Sequence, residues 1–302
     1  MIYEDLLDLV GNTPVVKFPL ENDNVLYLKL EMFNPTGSIK DRVAKQMILD
    51  LKNEGKINDE TKIIEATSGN TGIGLAFVLG SMGLHPYIFL PATMSKERMD
   101  LLEAYGAILI LTNGEEGMKG ATTRAEAFAK EHNGIYVNQF INNSNIVAHE
   151  NTTAKEIIND IPDLDYLVAG IGTSGTIVGL AHVLKNHYDN LKIIGVEPQE
   201  SAVLNGKLPN SHGIQGIGAG FVPPLFQKDL VDEIVTISTN RANDIAKYLG
   251  VKGLFLGISS CAAIAAAYDI SKSCKNKKIL AICPDGGNKY LSLGVYNHVE
   301  RE

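Results

Sequence analysis

Three polar, glycine-bearing turns and one lysine carry the residue types that could do chemistry in this chain. Thr67-Ser68-Gly69-Asn70-Thr71-Gly72 has two glycines and four hydroxyl or amide side chains between a strand pattern and a helix pattern. Free backbone N–H groups at a helix start, with polar side chains around them, suit an anion or a carboxylate. A plain helix cap needs one such side chain, so four argue for a ligand. Gly170-Ile171-Gly172-Thr173-Ser174-Gly175-Thr176 sits in the same position after another strand. It suits a phosphate held by amides and hydroxyls, without lysine or arginine. This loop also satisfies G-x-G-x-x-G, and Glu197 ends the next strand 22 residues after Gly175. A nicotinamide-dependent oxidoreductase is therefore a rival reading of that loop. Such an enzyme would leave the first cradle and Lys40 without a role. Lys40 follows the strand Leu26–Glu31 and the breaker-rich turn Asn34-Pro35-Thr36-Gly37-Ser38, where a helix begins. Ligands of open α/β folds bind at such carboxyl ends of strands.

Weaker signals accompany these. Gly257-Ile258-Ser259-Ser260-Cys261 opens a further helix, and by itself reads as a cap. Gln139 alone is a loop residue. Gln215-Gly216-Ile217-Gly218-Ala219-Gly220 has too many glycines for a packed element and reads as a mobile or close-approach loop. Cys261 and Cys283 lie in apolar runs and read as buried rather than reactive. The histidines are scattered and form no metal-binding array.

The elements that must position these residues alternate. Strands are expected at Val15–Phe18, Val25–Glu31, Lys62–Ala66, Tyr87–Leu90, Ile108–Leu111, Ile135–Val137, Tyr166–Ala169, Lys192–Val196, Val231–Ile237 and Lys278–Cys283. Helical spacing is read from Lys40 to near Gly55, then over Gly72–Gly83, Lys96–Tyr105, Gly117–Glu131 and Ala148–Asn159. It recurs over Thr176–Tyr188, Asn240–Leu249 and Ser259–Lys272. Alternating strands and helices predict parallel sheets with helices on both faces. The smaller domain is expected at 35–145, with 1–34 and 146–302 forming the larger.

Length and composition set bounds. At 302 residues, 45% hydrophobic and 21% charged, the chain has the make-up of a soluble globular protein with room for two domains. A net charge of −8 without a basic block argues against nucleic acid. Three cysteines without metal-like spacing point to a reducing, cytoplasmic setting. Met1-Ile2-Tyr3-Glu4-Asp5 carries acids where a signal peptide needs bases. The uncharged run Ala66–Met94 is broken by polar residues, glycine and proline, which excludes a membrane span.

Read together, these segments resemble the cysteine synthase family, the fold type II group of pyridoxal-phosphate enzymes. The resemblance is carried by Gly11-Asn12-Thr13-Pro14, Asn34 to Arg42, the 67–72 cradle, the 172–176 loop, Gly216 to Phe221 and Gly257 to Ser260. It implies an α/β fold of two three-layer αβα domains, like the tryptophan synthase β chain, and pyridoxal 5'-phosphate as cofactor. Lys40 matches the lysine of the internal Schiff base and Asn70 the partner of the phenolic oxygen. Thr67, Ser68, Gly69, Thr71 and Gln139 match the substrate-carboxylate groups. Gly172, Thr173, Ser174, Gly175 and Thr176 match the phosphate cup, and Ser259 the partner of the pyridine nitrogen. Gly216 and Ala219 match the substrate-side gating loop.

The implied reaction is β-replacement on an activated serine, O-acetylserine with sulfide giving cysteine and acetate by way of an α-aminoacrylate. A neutral Ser259 limits delocalisation into the ring and favours β-elimination over transamination. Ser174, Cys261, Asn142-Asn143-Ser144-Asn145 and the ending Pro284 to Tyr290 depart from the commonest family pattern. The departures leave open a cysteine-consuming reaction that releases hydrogen sulfide, or cystathionine synthesis. The family also implies a homodimer, and in some members binding of the C-terminus of serine acetyltransferase.

Overall fold

The computed structural model describes residues 2–297. In chain order the strands and helices begin with β1 (Val15–Pro19), β2 (Val25–Leu30), α1 (Lys40–Asn53), β3 (Ile63–Ala66) and α2 (Asn70–Gly80). β4 (Tyr87–Pro91), α3 (Lys96–Ala104), β5 (Ile108–Thr112), α4 (Gly117–Glu131) and β6 (Ile135–Tyr136) follow. Then come α5 (Ser144–Ala148), a π-helical turn (His149–Thr153), α6 (Ala154–Asp160), β7 (Tyr166–Gly170) and α7 (Gly175–Leu184). β8 (Lys192–Pro198), β9 (Glu233–Ile237), α8 (Thr239–Gly250), α9 (Ile258–Ser271) and β10 (Lys278–Cys283) complete the set. The chain divides into two units, one of Met1–Gly11 with Asn34–Ala148, the other of Asn12–Phe33 with His149–Glu302.

The first unit is built on a parallel sheet of order β5-β4-β3-β6. Alternation along β3 splits its side chains between two cores. Ile63 packs with Val43, Met47, Leu75 and Leu79 of α1 and α2. Ile64 and Ala66 face Ala121 and Ala125 of α4. Helices thus cover both faces of the sheet, as a parallel sheet requires. Residues before Gly11 were expected in the larger domain, and the structure corrects this. Leu7 is buried among Val43 and Met47, Lys45 Nζ donates to the Leu7 carbonyl at 2.7 Å, and Gly11 N–H donates to Asn34 Oδ1 at 2.9 Å.

In the second unit the sheet order is β1-β2-β10-β7-β8-β9. Only β1 runs antiparallel, joined to β2 by the hairpin turn 20–24. On one face Leu26, Leu28, Val168, Ile194 and Ala281 pack against α8 and α9. α7 packs on β7 and β8. α9 is buried from Ile258 to Ala267 because serine, cysteine and alanine on all sides let neighbours approach closely. The Gly11–Pro14 turn is tied down by its successors. Asn12 adopts a left-handed φ of 49°, and its N–H donates to Glu156 Oε1 at 2.9 Å. Fully buried Lys29 donates to the Thr13 carbonyl at 2.7 Å and pairs with Glu156 at 2.8 Å. A buried cation needs such partners, since an unpaired one would cost several kcal/mol on the order of magnitude seen in proteins.

Candidate active site

Lys40 opens α1, and the turn before it is held by a buried acid. Asp41 Oδ2 accepts the Thr36 N–H at 2.7 Å, and its Oδ1 accepts the Thr36 hydroxyl in a very short bond. Ser38 Oγ accepts the Lys40 N–H at 3.2 Å. The start of α1 also meets α2 closely. A side-chain carbon at Gly74 would stand 3.0 Å from the Lys40 carbonyl oxygen, so a glycine is what allows the approach.

The 67–72 loop joins β3 to α2, with Asn70 as the first helical residue and Gly69 as an extended N-cap. Thr67 and Thr71 are buried, while Ser68, Gly69 and Asn70 are half-buried. The Thr67 hydroxyl accepts the Gly69 N–H at 3.2 Å, and Arg98 of α3 reaches the Ser68 carbonyl at 3.4 Å. Gln139 arrives from the end of β6, next to β3, and its Oε1 accepts the Thr71 hydroxyl at 2.7 Å. That bond leaves the two N–H groups of the Gln139 amide as donors. The first unit therefore gathers Thr67, Ser68, Gly69, Asn70, Thr71 and Gln139 around one helix N-terminus, with Lys40 at the head of the neighbouring helix. Exposed N–H groups there favour a carboxylate.

In the second unit Gly172 to Thr176 bend into the N-terminus of α7. Ser174, the N-cap, has φ 74°, a left-handed conformation that costs a non-glycine residue roughly 1–2 kcal/mol. Its Oγ is buried and has no hydrogen-bond partner among the described residues. A side-chain carbon at Gly172 would come within 2.5 Å of the Gly216 carbonyl oxygen, so the cup is closed on that side by backbone. An orphaned hydroxyl beside a helix N-terminus, in a cradle that only glycine leaves open, fits a phosphate. Thr176 Oγ1 is hydrogen bonded to Nε2 of fully buried His149 at 3.1 Å, and His149 Nδ1 to Thr153 Oγ1 at 3.0 Å.

The glycine-rich loop is anchored to the same region. Gly216, Gly218 and Gly220 have φ of 92°, 66° and 80°. The Gly218 N–H donates to the Ile171 carbonyl at 2.9 Å, and His212 Nε2 lies 2.9 Å from the Gly218 carbonyl. Ser259, buried in the first turn of α9, faces Gly216, whose absent side-chain carbon would lie 3.8 Å from its Oγ. Ala219 lines a small cleft with Ile171, Glu197 and Ser201. Behind Ser259, the head of α9 is fixed by Asp285, whose carbonyl accepts the Gly257 N–H at 2.9 Å and whose Oδ2 accepts the Tyr290 hydroxyl at 2.5 Å.

Glu197 decides the rival reading. Its carboxylate accepts the Leu204 N–H at 2.9 Å, the Asn205 N–H at 3.0 Å and the Asn205 amide at 2.8 Å. It closes its own loop, and the dinucleotide reading loses its ribose-binding acid. Burial pushes the Cys261 thiol up to about 12 and the Cys283 thiol well above its ordinary value, so neither supplies a thiolate.

Sequence reasoning missed His149, Glu65 and Asp285. Scattered histidines gave no signal, because His149 meets Thr176 only through tertiary packing. Glu65 did leave one, an acid inside a strand whose residues are all buried.

The chain matches the family model described as pyridoxal-phosphate dependent enzyme over residues 6–285. It is 42% identical over 301 residues to a cysteine synthase of Staphylococcus aureus, covering 97% of each chain. A crystal structure of cysteine synthase from Entamoeba histolytica superposes with a TM-score of 0.95 at 40% identity, over 100% of this chain and 93% of that one. A hydrogen sulfide-producing enzyme from Fusobacterium nucleatum gives a TM-score of 0.90 at 40% identity, over 96% of this chain and 100% of that one.

Proposed function

Because this chain belongs to the pyridoxal-phosphate-dependent enzyme family, we propose that it catalyses β-replacement, converting O-acetylserine and sulfide to cysteine and acetate. The observation that carries the reaction class is Ser259. A neutral hydroxyl, rather than a carboxylate, stands in the first turn of α9 where the resemblance assigns the pyridine-nitrogen partner. When bound, pyridoxal phosphate supplies the electron sink that acidifies the substrate Cα–H and lets the β-substituent leave.

Each residue then has a task of its own. Thr173, Ser174 and Thr176, with the amides of Gly172 and Gly175, would hold the phosphate without a formal positive charge. The Asn70 amide would donate to the ring's phenolic oxygen. Lys40 would hold the cofactor through its amine, and the same amine would serve as the base that takes the proton from the substrate Cα and returns it there. Thr67, Ser68, Gly69, Thr71 and Gln139 seat the substrate carboxylate, which fixes Cα relative to that amine. Gly216 and Ala219 lie on the loop that closes over the substrate's β-substituent.

A second reading is favoured by the likeness to the hydrogen sulfide-producing enzyme: cysteine as the first substrate, with hydrogen sulfide released. Product analysis separates the two. The purified holoenzyme is expected to form cysteine and equimolar acetate from O-acetylserine and sulfide much faster than it releases sulfide from cysteine alone. The reverse ranking overturns the first assignment. A homodimer and a cytoplasmic setting belong to the same proposal, supported by the family resemblance and by three cysteines without disulfides. So does capture of a serine acetyltransferase C-terminus. No helix among the described residues is long and apolar enough to cross a membrane.

A further inference from the structure

Glu65 is 1% exposed in the middle of a strand that would fold more readily with an apolar residue there. Its two oxygens are both spoken for by main chain. Oε1 accepts the Ala66 N–H at 2.9 Å and Oε2 accepts the Gln139 N–H at 3.1 Å. Ala66 is the residue from which the 67–72 loop departs, and Gln139 is that loop's partner across the Thr71 hydroxyl. On the other side of the same residue, Asn145 Nδ2 donates to the Gln139 carbonyl at 2.8 Å. The Gln139 backbone is thus gripped at both its N–H and its carbonyl, and its side-chain amide is aimed by what grips it.

From this geometry we infer that Glu65 is a positioning residue for substrate binding, tying the 67–72 loop to Gln139 so that their donors converge on one carboxylate. The inference rests on the β-replacement reading, which assigns the carboxylate to those donors. Burial raises the Glu65 carboxyl to about 8, a cost that the two N–H bonds only partly offset. Two carboxyl oxygens let the one side chain accept both bonds. Glutamine keeps one acceptor oxygen and turns an NH2 group toward the other N–H. Asn145 falls in the segment 142–145 that departs from the family's commoner pattern, and here it supplies the matching grip.

The test uses holoenzyme of the parent, Glu65→Gln and Asn145→Ala, with O-acetylserine and its carboxamide as probes. In Glu65→Gln the KM for O-acetylserine is expected to rise about tenfold, the scale of one buried hydrogen bond lost. The KM for sulfide and the absorption of the bound cofactor should stay as in the parent. The carboxamide has no carboxylate to seat, so its affinity, read by absorption titration, should be the same in parent and variant. Asn145→Ala should show the same pattern with a several-fold rise, and it decides the matter if Glu65→Gln does not fold. An O-acetylserine KM within about twofold of the parent, or an equal loss for the carboxamide, overturns the inference. A parent inert toward O-acetylserine contradicts the β-replacement reading and this inference with it. An active parent with an unaffected variant contradicts this inference alone.

Discussion

At the scale of single residues, Ser174 carries a local cost that a ligand would offset. Ser174 combines a left-handed backbone with a buried hydroxyl that lacks a partner among the described residues. Both features oppose folding of the empty protein, and a phosphate would satisfy the hydroxyl. Ser174→Gly should therefore stabilise the cofactor-free protein by about 1 kcal/mol through relief of the left-handed strain. The same change should weaken cofactor binding several-fold through loss of the hydroxyl. Thermal melts with and without pyridoxal phosphate, together with a cofactor titration, measure both effects. A variant that binds the cofactor as tightly as the parent contradicts the assignment of Ser174 to the phosphate. The turns that carry Lys40, Asn70, Thr71 and residues 172–176 were legible in the sequence, each falling between a strand and a helix, while the roles proposed for them come from the family resemblance. His149 and Glu65 were not, since their partners Thr176 and Gln139 lie 27 and 74 residues away along the chain.

At the scale of elements, the strands and helices that follow each glycine-rich turn form close to where periodicity places them. The segment after Gln139 is different. A helix was expected from Ala148 to Asn159, and the structure begins one at Ser144 and widens it into a π-turn at His149–Thr153. Such turns insert one residue's worth of slack and are frequent at functional sites. Here the slack carries His149, bonded to both Thr153 and Thr176. The α1–α2 contact makes a separate prediction. Gly74→Ala would press a methyl group 3.0 Å from the Lys40 carbonyl. Overpacking of this kind costs about 1–3 kcal/mol and here displaces the head of α1. Activity should fall by tenfold or more while the far-ultraviolet circular dichroism stays that of the parent. Parent-like activity would mean that Lys40 tolerates movement of its helix start.

For the whole molecule, sequence alternation revealed the α/β class and the parallel sheets, but not strand order. β10, the last strand, pairs with both β2 and β7, joining residues as far apart as Val25 and Lys278. Nothing local encodes such pairings. The segment before Asn12 likewise joins the first unit through Leu7, buried among side chains of α1 with its carbonyl held by Lys45, and through Gly11, bonded to Asn34. What lies in local sequence is the order of the polar turns, and the proposed function assigns to them an amine, a carboxylate cradle, a phosphate cup and a neutral ring partner. The proposed function depends on the amine of Lys40 holding the cofactor. The direct measurement is borohydride reduction of the holoenzyme followed by peptide mass mapping. The account predicts a single stable cofactor adduct, on the peptide that contains Lys40. An adduct on any other lysine, or none at all, would contradict it.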